Sequence, residues 1–153
     1  MADVDVRVAG KGDAAALASL RALWHPGDDG DLAERMADWL AADGERRTTW
    51  LATLDGGPAG MASLFEYRRM PRADVPDSRW GYVGNVFVRE DARGCGLGSA
   101  LLGALIAAAD ERGYAHLLLA PSAEALPFFR RAGFDDAGLL RRGRMAPNPP
   151  RRS

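Results

Sequence analysis

The clearest pattern of apolar and polar positions lies in the middle of the chain. Residues 79–88 are rich in aromatic and β-branched side chains, which predicts a strand. Leu101, Leu105 and Ala109 then recur at helical spacing, and Gly113 stands where a glycine commonly ends a helix. The segment between them is first charged and then rich in glycine. The pattern therefore predicts a strand, a glycine-rich turn and a helix in succession.

Further regular elements are predicted on both sides of this segment. Apolar runs predict strands at residues 5–8, 48–54, 59–67 and 116–120, and a closing strand or hairpin at 134–140. Helical spacing predicts two helices between the first two strands, one after Asp13 and one after Asp31, and a further helix at 123–132. Asp13 is expected to cap its helix, and Asp31 with Glu34 has the spacing of a capping box.

Composition limits the classes of protein to consider. The chain has 153 residues, of which 47% are hydrophobic, so one domain with a sizeable core is expected. The net charge of -1 predicts neither a nucleic-acid nor a membrane partner. Cys95 is the only cysteine, which excludes an internal disulfide and a cysteine metal cluster, and no metal is expected. Without a long apolar run or a signal peptide, the expected location is cytoplasmic.

The glycine-rich turn has a composition suited to binding a pyrophosphate. The first N–H groups of a helix lack partners within it, and the helix dipole favours negative charge there. Gly94, Gly96 and Gly98 permit close approach of a ligand, and Arg93 supplies a cation. The spacing is not that of a dinucleotide-binding motif, because Ser99 stands where the third glycine would be. A P-loop is excluded because the turn has no lysine.

Two motifs resemble those of the GNAT superfamily of N-acetyltransferases. The first is the turn at residues 93–98, RGCGLG, which is similar to the family's acyl-CoA pyrophosphate signature. The second is the segment at residues 125–134, ALPFFRRAGF, which resembles a helix and closing strand of the family. The resemblance implies an α/β (α+β) fold with a mixed, mostly antiparallel central sheet flanked by helices. We expect one such domain over residues 1–145 and a disordered basic tail at 146–153.

The resemblance implies acetyl-CoA as the cosubstrate and an amine as the acceptor. In the family, two central strands splay apart and the pantetheine arm of the cosubstrate inserts between them. The backbone of Val86, Phe87 and Val88 would pair with that arm, and a backbone N–H there would stabilise the oxyanion. The other residues implied to bind acetyl-CoA are Arg93, Gly94, Cys95, Gly96, Leu97, Gly98, Ser99, Ser122 and Phe129.

Two positions depart from the family's catalytic pattern. Tyr82 stands where many members have a glutamate base, and Phe129 where many have a tyrosine that protonates the thiolate. The missing base matters more, because an alkylamine of pKa about 10.4 is mostly protonated at pH 7, whereas a thiol of pKa about 8.5 leaves readily. Glu66 is therefore predicted as the base, with its pKa raised by burial, and Tyr82 as a second catalytic position. His25, in the loop between the first two helices, is an alternative base.

The leading hypothesis is direct transfer of an acetyl group from acetyl-CoA to an amine of a small molecule or a protein. The two missing side chains leave open an acyl-CoA-binding module with little or no turnover. A longer acyl group and a covalent intermediate on Cys95 are further alternatives. The sequence does not identify the acceptor, and the protein is expected to be a monomer or a homodimer.

Overall fold

The computed structural model describes residues 3–28, 30–42, 44–75 and 77–143. The chain divides into two compact units, residues 1–120 and 121–153, which are described separately. Within the described residues, no helix has both the length and the apolar character that crossing a membrane requires. The predicted basic tail, residues 146–153, lies outside the described residues.

The first unit is built on a five-stranded sheet whose strands lie side by side in chain order. The strands are β1 Val4–Val8, β2 Arg47–Leu54, β3 Gly57–Arg68, β4 Arg79–Val88 and β5 His116–Leu119. The first four strands pair antiparallel, and β5 runs parallel to β4. The mixed, mostly antiparallel sheet predicted from the sequence is therefore confirmed.

Helices cover both faces of this sheet. The helices are α1 Ala14–Trp24, α2 Leu32–Ala41 and α3 Leu97–Glu111. Leu17 and Leu20 of α1 pack against Met61 of β3, with side chains of α2 around them. On the other face, Leu101 of α3 lies close to Gly60, the residue that precedes Met61. Because successive side chains of a strand point to opposite faces, the sheet separates α1 and α2 from α3.

The two predicted capping aspartates stand at the N-cap positions, but neither side chain caps its helix. The carboxylate of Asp13 accepts a hydrogen bond from Arg7, with 2.7 Å between Oδ1 and Nη2. The carboxylate of Asp31 accepts one from Nε of Arg35 at 2.9 Å. The predicted side-chain caps, including the capping box, are therefore wrong, because these carboxylates accept hydrogen bonds from arginines and not from the first N–H groups of the helices.

Helix α3 begins and ends at glycines in the left-handed region of backbone conformation. Gly96 precedes the helix with φ of +80°, and Gly113 follows it with φ of +73°. The N–H of Gly113 donates to the carbonyl of Asp110 at 3.1 Å, and that of Tyr114 to the carbonyl of Ala109 at 3.0 Å. This is the Schellman arrangement of a helix end. The helix end predicted at Gly113 is confirmed.

The described part of the second unit contains one short helix. Helix α4 spans Leu126–Arg131, which is shorter than the predicted 123–132, and Pro127 lies in its first turn. Residues 134–140 form no strand, so the predicted closing strand is wrong. Aspartates at 135 and 136 and a left-handed Gly138, with φ of +64°, disfavour extended pairing there.

Candidate functional site

The glycine-rich turn connects β4 to α3 and leaves space around its backbone. Gly94 and Gly96 have φ of +84° and +80°, which glycine adopts without strain. A Cβ atom added to either residue would meet no other atom within 4 Å. A ligand can therefore approach the backbone of both residues directly.

The first amides of α3 lie at the same turn. Helical bonding begins where the carbonyl of Gly96 accepts the N–H of Ala100 at 3.0 Å. The preceding N–H groups, those of Leu97, Gly98 and Ser99, therefore lie outside the helical ladder and are free to bind an anion. This described first turn contains no acidic residue, and the helix of 15 residues contributes its dipole.

Arg93 and Cys95 are exposed on this turn. Nε of Arg93 donates to the carbonyl of Val88 at 3.2 Å, which ties the turn to the end of β4. The guanidinium forms no ion pair with any described residue, so its charge can serve an anion. The structure thus brings residues 93–99 together at the end of β4.

Strand β4 continues beyond its pairing with β5. The parallel pairing starts at Trp80 and ends where Val83 lies opposite Leu119, the last residue of β5. Val86, Phe87 and Val88 follow on β4 and are half-buried. Strand backbone without a neighbour on one side can pair with an extended ligand. The residues predicted to pair with the pantetheine arm therefore lie on the part of β4 that β5 leaves uncovered.

A bulge in β4 places Asn85 on the sheet face covered by α1 and α2. The pairing of β3 with β4 shifts just before Ser63, so that β4 carries one extra residue. Asn85 has φ of +56°, a conformation that asparagine tolerates better than most residues. Its Nδ2 donates to Oγ of Ser63 at 3.3 Å, and that Oγ lies 2.8 Å from Oγ1 of Thr49. An amide–hydroxyl network therefore connects β4, β3 and β2.

This network lines a cavity of about 380 Å³ between the sheet and helices α1 and α2. The polar residues that the structure describes in the lining are Arg21, Arg35, Thr49, Ser63 and Asn85. The described apolar residues there are Leu17, Leu32, Met36, Trp39, Met61 and Phe65. Small-molecule sites commonly measure about 300–1,000 Å³ and combine an apolar wall with a few polar groups. The cavity is therefore of the size and composition to hold a small molecule.

Contacts between arginines and aromatic rings fix two of the lining side chains. The guanidinium carbon of Arg21 lies 4.8 Å from the ring centre of Trp24, and Trp24 stacks on Phe87 with 5.5 Å between centroids. The guanidinium of Arg47 lies 3.7 Å from the ring centre of Trp39 and donates to the carbonyl of that residue. Such cation–π contacts are attractive and favour a fixed orientation. Arg21 and Trp39 are therefore held at the cavity wall.

Glu66 lies on the opposite face of the sheet from this cavity. Phe65 lines the cavity, so its neighbour Glu66 points to the α3 side. There its carboxylate accepts hydrogen bonds from Tyr114 Oη at 2.9 Å, Arg68 Nε at 3.2 Å and Arg79 Nη1 at 3.3 Å. Burial acts to raise its pKa, but the hydrogen bonds from Tyr114 and Arg68 and the charges of both arginines outweigh it and lower the pKa. The predicted rise in the pKa of Glu66 is therefore wrong, and the role of Glu66 as the base stays a prediction.

Tyr82 and His25 are exposed and do not line the cavity. Tyr82 pairs with Phe65 across the sheet and shares its face, with 6.3 Å between the ring centroids. His25 follows α1 and stacks on Trp24 at 5.0 Å. Tyr82 is therefore next to a residue of the cavity wall, whereas His25 lies behind a tryptophan that is itself outside the lining.

Ser122 and Phe129 belong to the second unit. Oγ of Ser122 accepts the N–H of Ala125 at 3.2 Å, just before α4. The ring of Phe129 packs edge-on against Phe128 and Phe134, with 5.1 and 5.9 Å between centroids. That both residues bind acetyl-CoA stays a prediction.

Sequence reasoning missed the polar groups of the cavity. A signal for Asn85 was present, because Gly84-Asn85 interrupts an otherwise aromatic and β-branched strand, and such residues often mark a bulge. Thr49 and Ser63 carried no such signal, since both are ordinary strand residues. The two cavity arginines lie on helices, where a charged side chain usually indicates only a solvent-facing position.

Comparison with protein families gives the class of the protein. The model of the acetyltransferase (GNAT) family matches residues 14–134, a range that includes the glycine turn and the cavity. The chain belongs to this family of acetyltransferases, which use acetyl-CoA as the acetyl donor. The resemblance inferred from the two sequence motifs is confirmed. A search of curated proteins finds no significant match to the chain.

Solved structures of acetyltransferases share the fold. An acetyltransferase from Trypanosoma brucei has a TM-score of 0.76 at 24% identity, covering 94% of this chain and 100% of that one. A predicted acetyltransferase with acetyl-CoA from Clostridium acetobutylicum has a TM-score of 0.74 at 20% identity, covering 93% and 96%. An aminoglycoside N-acetyltransferase in complex with CoA has a TM-score of 0.77 at 18% identity, covering 95% and 96%. At these identities, the likeness establishes the fold alone.

Proposed function

We propose that this protein is an N-acetyltransferase that moves an acetyl group from acetyl-CoA directly to the amine of a small acceptor. The observation that carries the proposal is that β4 connects the glycine turn, where the donor would bind, with the cavity, where the acceptor would bind. The open glycine turn follows its end, and Asn85 in its bulge lines the cavity. A donor bound along β4 would place its thioester next to an acceptor in the cavity, and such proximity is what direct transfer requires.

The donor would be held mainly by backbone groups. The N–H groups of Leu97, Gly98 and Ser99 would bind the pyrophosphate, with the charge of Arg93 beside them. The backbone of residues 86–88 would pair with the pantetheine arm, and an N–H of the same strand would stabilise the oxyanion. Because these contacts need few particular side chains, the departure at Tyr82 does not weaken the donor site.

The transfer step joins the amine nitrogen to the carbonyl carbon of the thioester. The neutral amine attacks, the C–N bond forms, the C–S bond breaks, CoA leaves as its thiolate, and the nitrogen gives up a proton to water. Nδ2 of Asn85 is engaged by Ser63, and Oδ1 accepts no hydrogen bond from a described residue. We assign to this Oδ1 the role of accepting an N–H of the amine and so orienting its lone pair toward the thioester.

Proton removal receives no help from a carboxylate or an imidazole among the described residues that line the cavity. An alkylamine with a pKa of about 10.4 must therefore lose its proton to water before attack. We expect kcat/KM to rise with pH along the titration of the acceptor, so that acceptors of different pKa give displaced curves. If kcat/KM instead rises over the same pH range for two such acceptors, a group on the protein acts as the base. Tyr82 would then be the first residue to substitute.

The same lack of a carboxylate or an imidazole, among the described residues that line the cavity, favours a second candidate function. A protein that binds acyl-CoA without turnover needs the glycine turn and the uncovered part of β4 but no catalytic groups. Such a module would bind CoA and acetyl-CoA alike. It would release no CoA when an amine is added.

Amine-dependent release of CoA, measured with a thiol reagent across a panel of small amines, separates the two functions. We expect release in the parent protein. In Asn85→Gly, which keeps the left-handed backbone and removes the amide, kcat/KM should fall roughly twofold to tenfold, the loss expected for a hydrogen bond between neutral groups. Acetyl-CoA binding should persist in this variant. Binding of acetyl-CoA without release in the presence of any amine would favour the binding module.

A further inference from the structure

The residues that the structure describes in the cavity lining carry positive charge and no negative charge. Among the described residues that line it, Arg21 and Arg35 bear the ionisable groups. An amine acceptor is itself a cation before it loses its proton, and like charges brought together disfavour binding. An acceptor with no other charge is therefore a poor match for this cavity.

Arg21 is free to bind an anion. Its side chain is half-buried at the cavity wall and lies over Trp24, and its guanidinium forms no ion pair or hydrogen bond with any described residue. A guanidinium is always charged and presents its N–H donors in a planar fork that matches a carboxylate or a phosphate. A fixed arginine of this kind is suited to bidentate recognition of an anionic group.

Arg35 can assist Arg21. Its Nε is paired with Asp31 at 2.9 Å, but the two side chains are 61% and 67% exposed. An ion pair in such an exposed position is weak, so an incoming anion can compete for the arginine. Asp31 is not part of the cavity lining, so its charge does not remove the positive character of the cavity itself.

We propose that the acceptor is a small primary amine that also carries an anionic group, either a carboxylate or a phosphate. This inference rests on the proposed function and specifies its substrate class. The anion would bind Arg21, with Arg35 beside it, and the amine would reach Asn85 on the sheet. The apolar wall that contains Met36 and Trp39 would contact the part of the molecule between them. The volume of about 380 Å³ limits this acceptor to a small molecule.

Matched pairs of amines test the proposal. Leucine is compared with 3-methylbutylamine, and 2-aminoethyl phosphate with 2-aminoethanol, so that the members of each pair differ in the anionic group. Values of kcat/KM are expressed per free amine because the pKa values differ within each pair. In at least one pair, the anionic member should be favoured roughly tenfold to a hundredfold, and the pair that shows this identifies the anion as carboxylate or phosphate.

Two arginine variants assign the preference to the cavity. Arg21→Gln should abolish the preference for the anionic member, so that the ratio of the two kcat/KM values within the pair falls to about one. Arg69→Gln is the control, because Arg69 also lies over a tryptophan, 4.1 Å from the ring centre of Trp80, but does not line the cavity. Equal kcat/KM within both pairs, or a preference that survives Arg21→Gln, would overturn the proposal while leaving the N-acetyltransferase function intact.

Direct binding separates a failure of this proposal from a failure of the proposed function. If no amine is turned over, the proposed function is wrong, and the four amines are then titrated calorimetrically into the protein saturated with CoA. Binding of an anionic member that exceeds its uncharged partner and is lost in Arg21→Gln would still support the anion site. Equal binding within each pair, or no binding of either anionic member, would overturn it.

Discussion

Replacing Gly96 by alanine separates the loss of donor binding from the strain that the substitution introduces. Gly96 precedes α3 with φ of +80°, and Gly113 follows the same helix with φ of +73°. A Cβ atom at either position would meet no other atom within 4 Å. Gly113→Ala is therefore a matched control, because it carries the same strain at the end of α3 that is remote from the glycine turn.

Both substitutions should destabilise the free protein by a similar, small amount. A left-handed L-residue costs roughly 1–2 kcal/mol. The reduced freedom of the unfolded chain offsets about 0.4–1 kcal/mol of that cost. We therefore expect the free energy of unfolding to fall by about 1 kcal/mol, which in a domain of this length lowers Tm by about 2–4 °C.

Addition of CoA should distinguish the two variants. At about 100 times its Kd, CoA should add about 2.7 kcal/mol to the stability of the parent protein and of Gly113→Ala. The new methyl group of Gly96→Ala would occupy space that the pyrophosphate needs. If binding weakens a hundredfold, the gain falls to about 0.4 kcal/mol. Thermal melts with and without CoA measure these gains, and equal gains in both variants would refute the assignment of the pyrophosphate to this turn.

Three further predictions concern the remainder of the first unit. Glu66→Gln should lower the free energy of unfolding by about 1–3 kcal/mol, because hydrogen bonds to a charged carboxylate are lost. The pH dependence of kcat/KM should not change. If the increase of kcat/KM with pH disappears in this variant, Glu66 is the base. The hydrogen bond from Arg7 contributes most to lowering the pKa of Asp13 from 3.8 to about 2, so this carboxylate stabilises the fold above about pH 4 and ceases to do so as the pH falls toward 2. Because Arg7 is half exposed, the stability difference between parent and Asp13→Asn in urea unfolding should shrink by only about 1 kcal/mol over that range; a constant difference would contradict the pairing. Gly81→Ala should lower the free energy of unfolding by about 1–3 kcal/mol, because its Cβ would lie 2.6 Å from Leu117. Gly103→Ala, with open space on α3, should be neutral or stabilising. Equal effects of the two substitutions on Tm would show that the space around Gly81 is not limiting.

The order of elements in the first unit could be predicted because each carries its own periodicity. The leucines of α3 recur at helical spacing, and Gly113 supplies the left-handed residue that a Schellman ending needs. The glycine turn could be predicted for a related reason. Its proposed function depends on backbone N–H groups and on φ values that glycine favours, and these requirements are visible in sequence as the glycines themselves.

The direction of Glu66 could not be predicted from the alternation of residues along β3. Ala62 and Leu64 are buried on one face of the strand, and Met61 and Ser63 are buried on the other. A strand that is buried on both faces offers no polar side by which the faces can be told apart. The partners of Glu66 are also distant in sequence, since Tyr114 follows α3, so the lowered pKa was inaccessible without the structure.

The cavity between the sheet and helices α1 and α2 could not be predicted because it depends on long-range packing. Arg21 of α1, Ser63 of β3 and Asn85 of β4 meet only when the two helices cover the sheet. The left-handed conformation of Asn85 arises from a bulge, which is a property of the pairing of β4 with β3 and not of either strand alone.

Transfer of a labelled acetyl group tests the central claim most directly. The protein is incubated with acetyl-CoA labelled in its acetyl group and with each anionic amine of the matched pairs, and the products are analysed by mass spectrometry and NMR. We expect the label on the amine nitrogen of the acceptor, with one acetyl group transferred for each CoA released. Release of CoA at a rate independent of the amine, with the label recovered as acetate or retained on Cys95, would contradict direct transfer to an acceptor in the cavity.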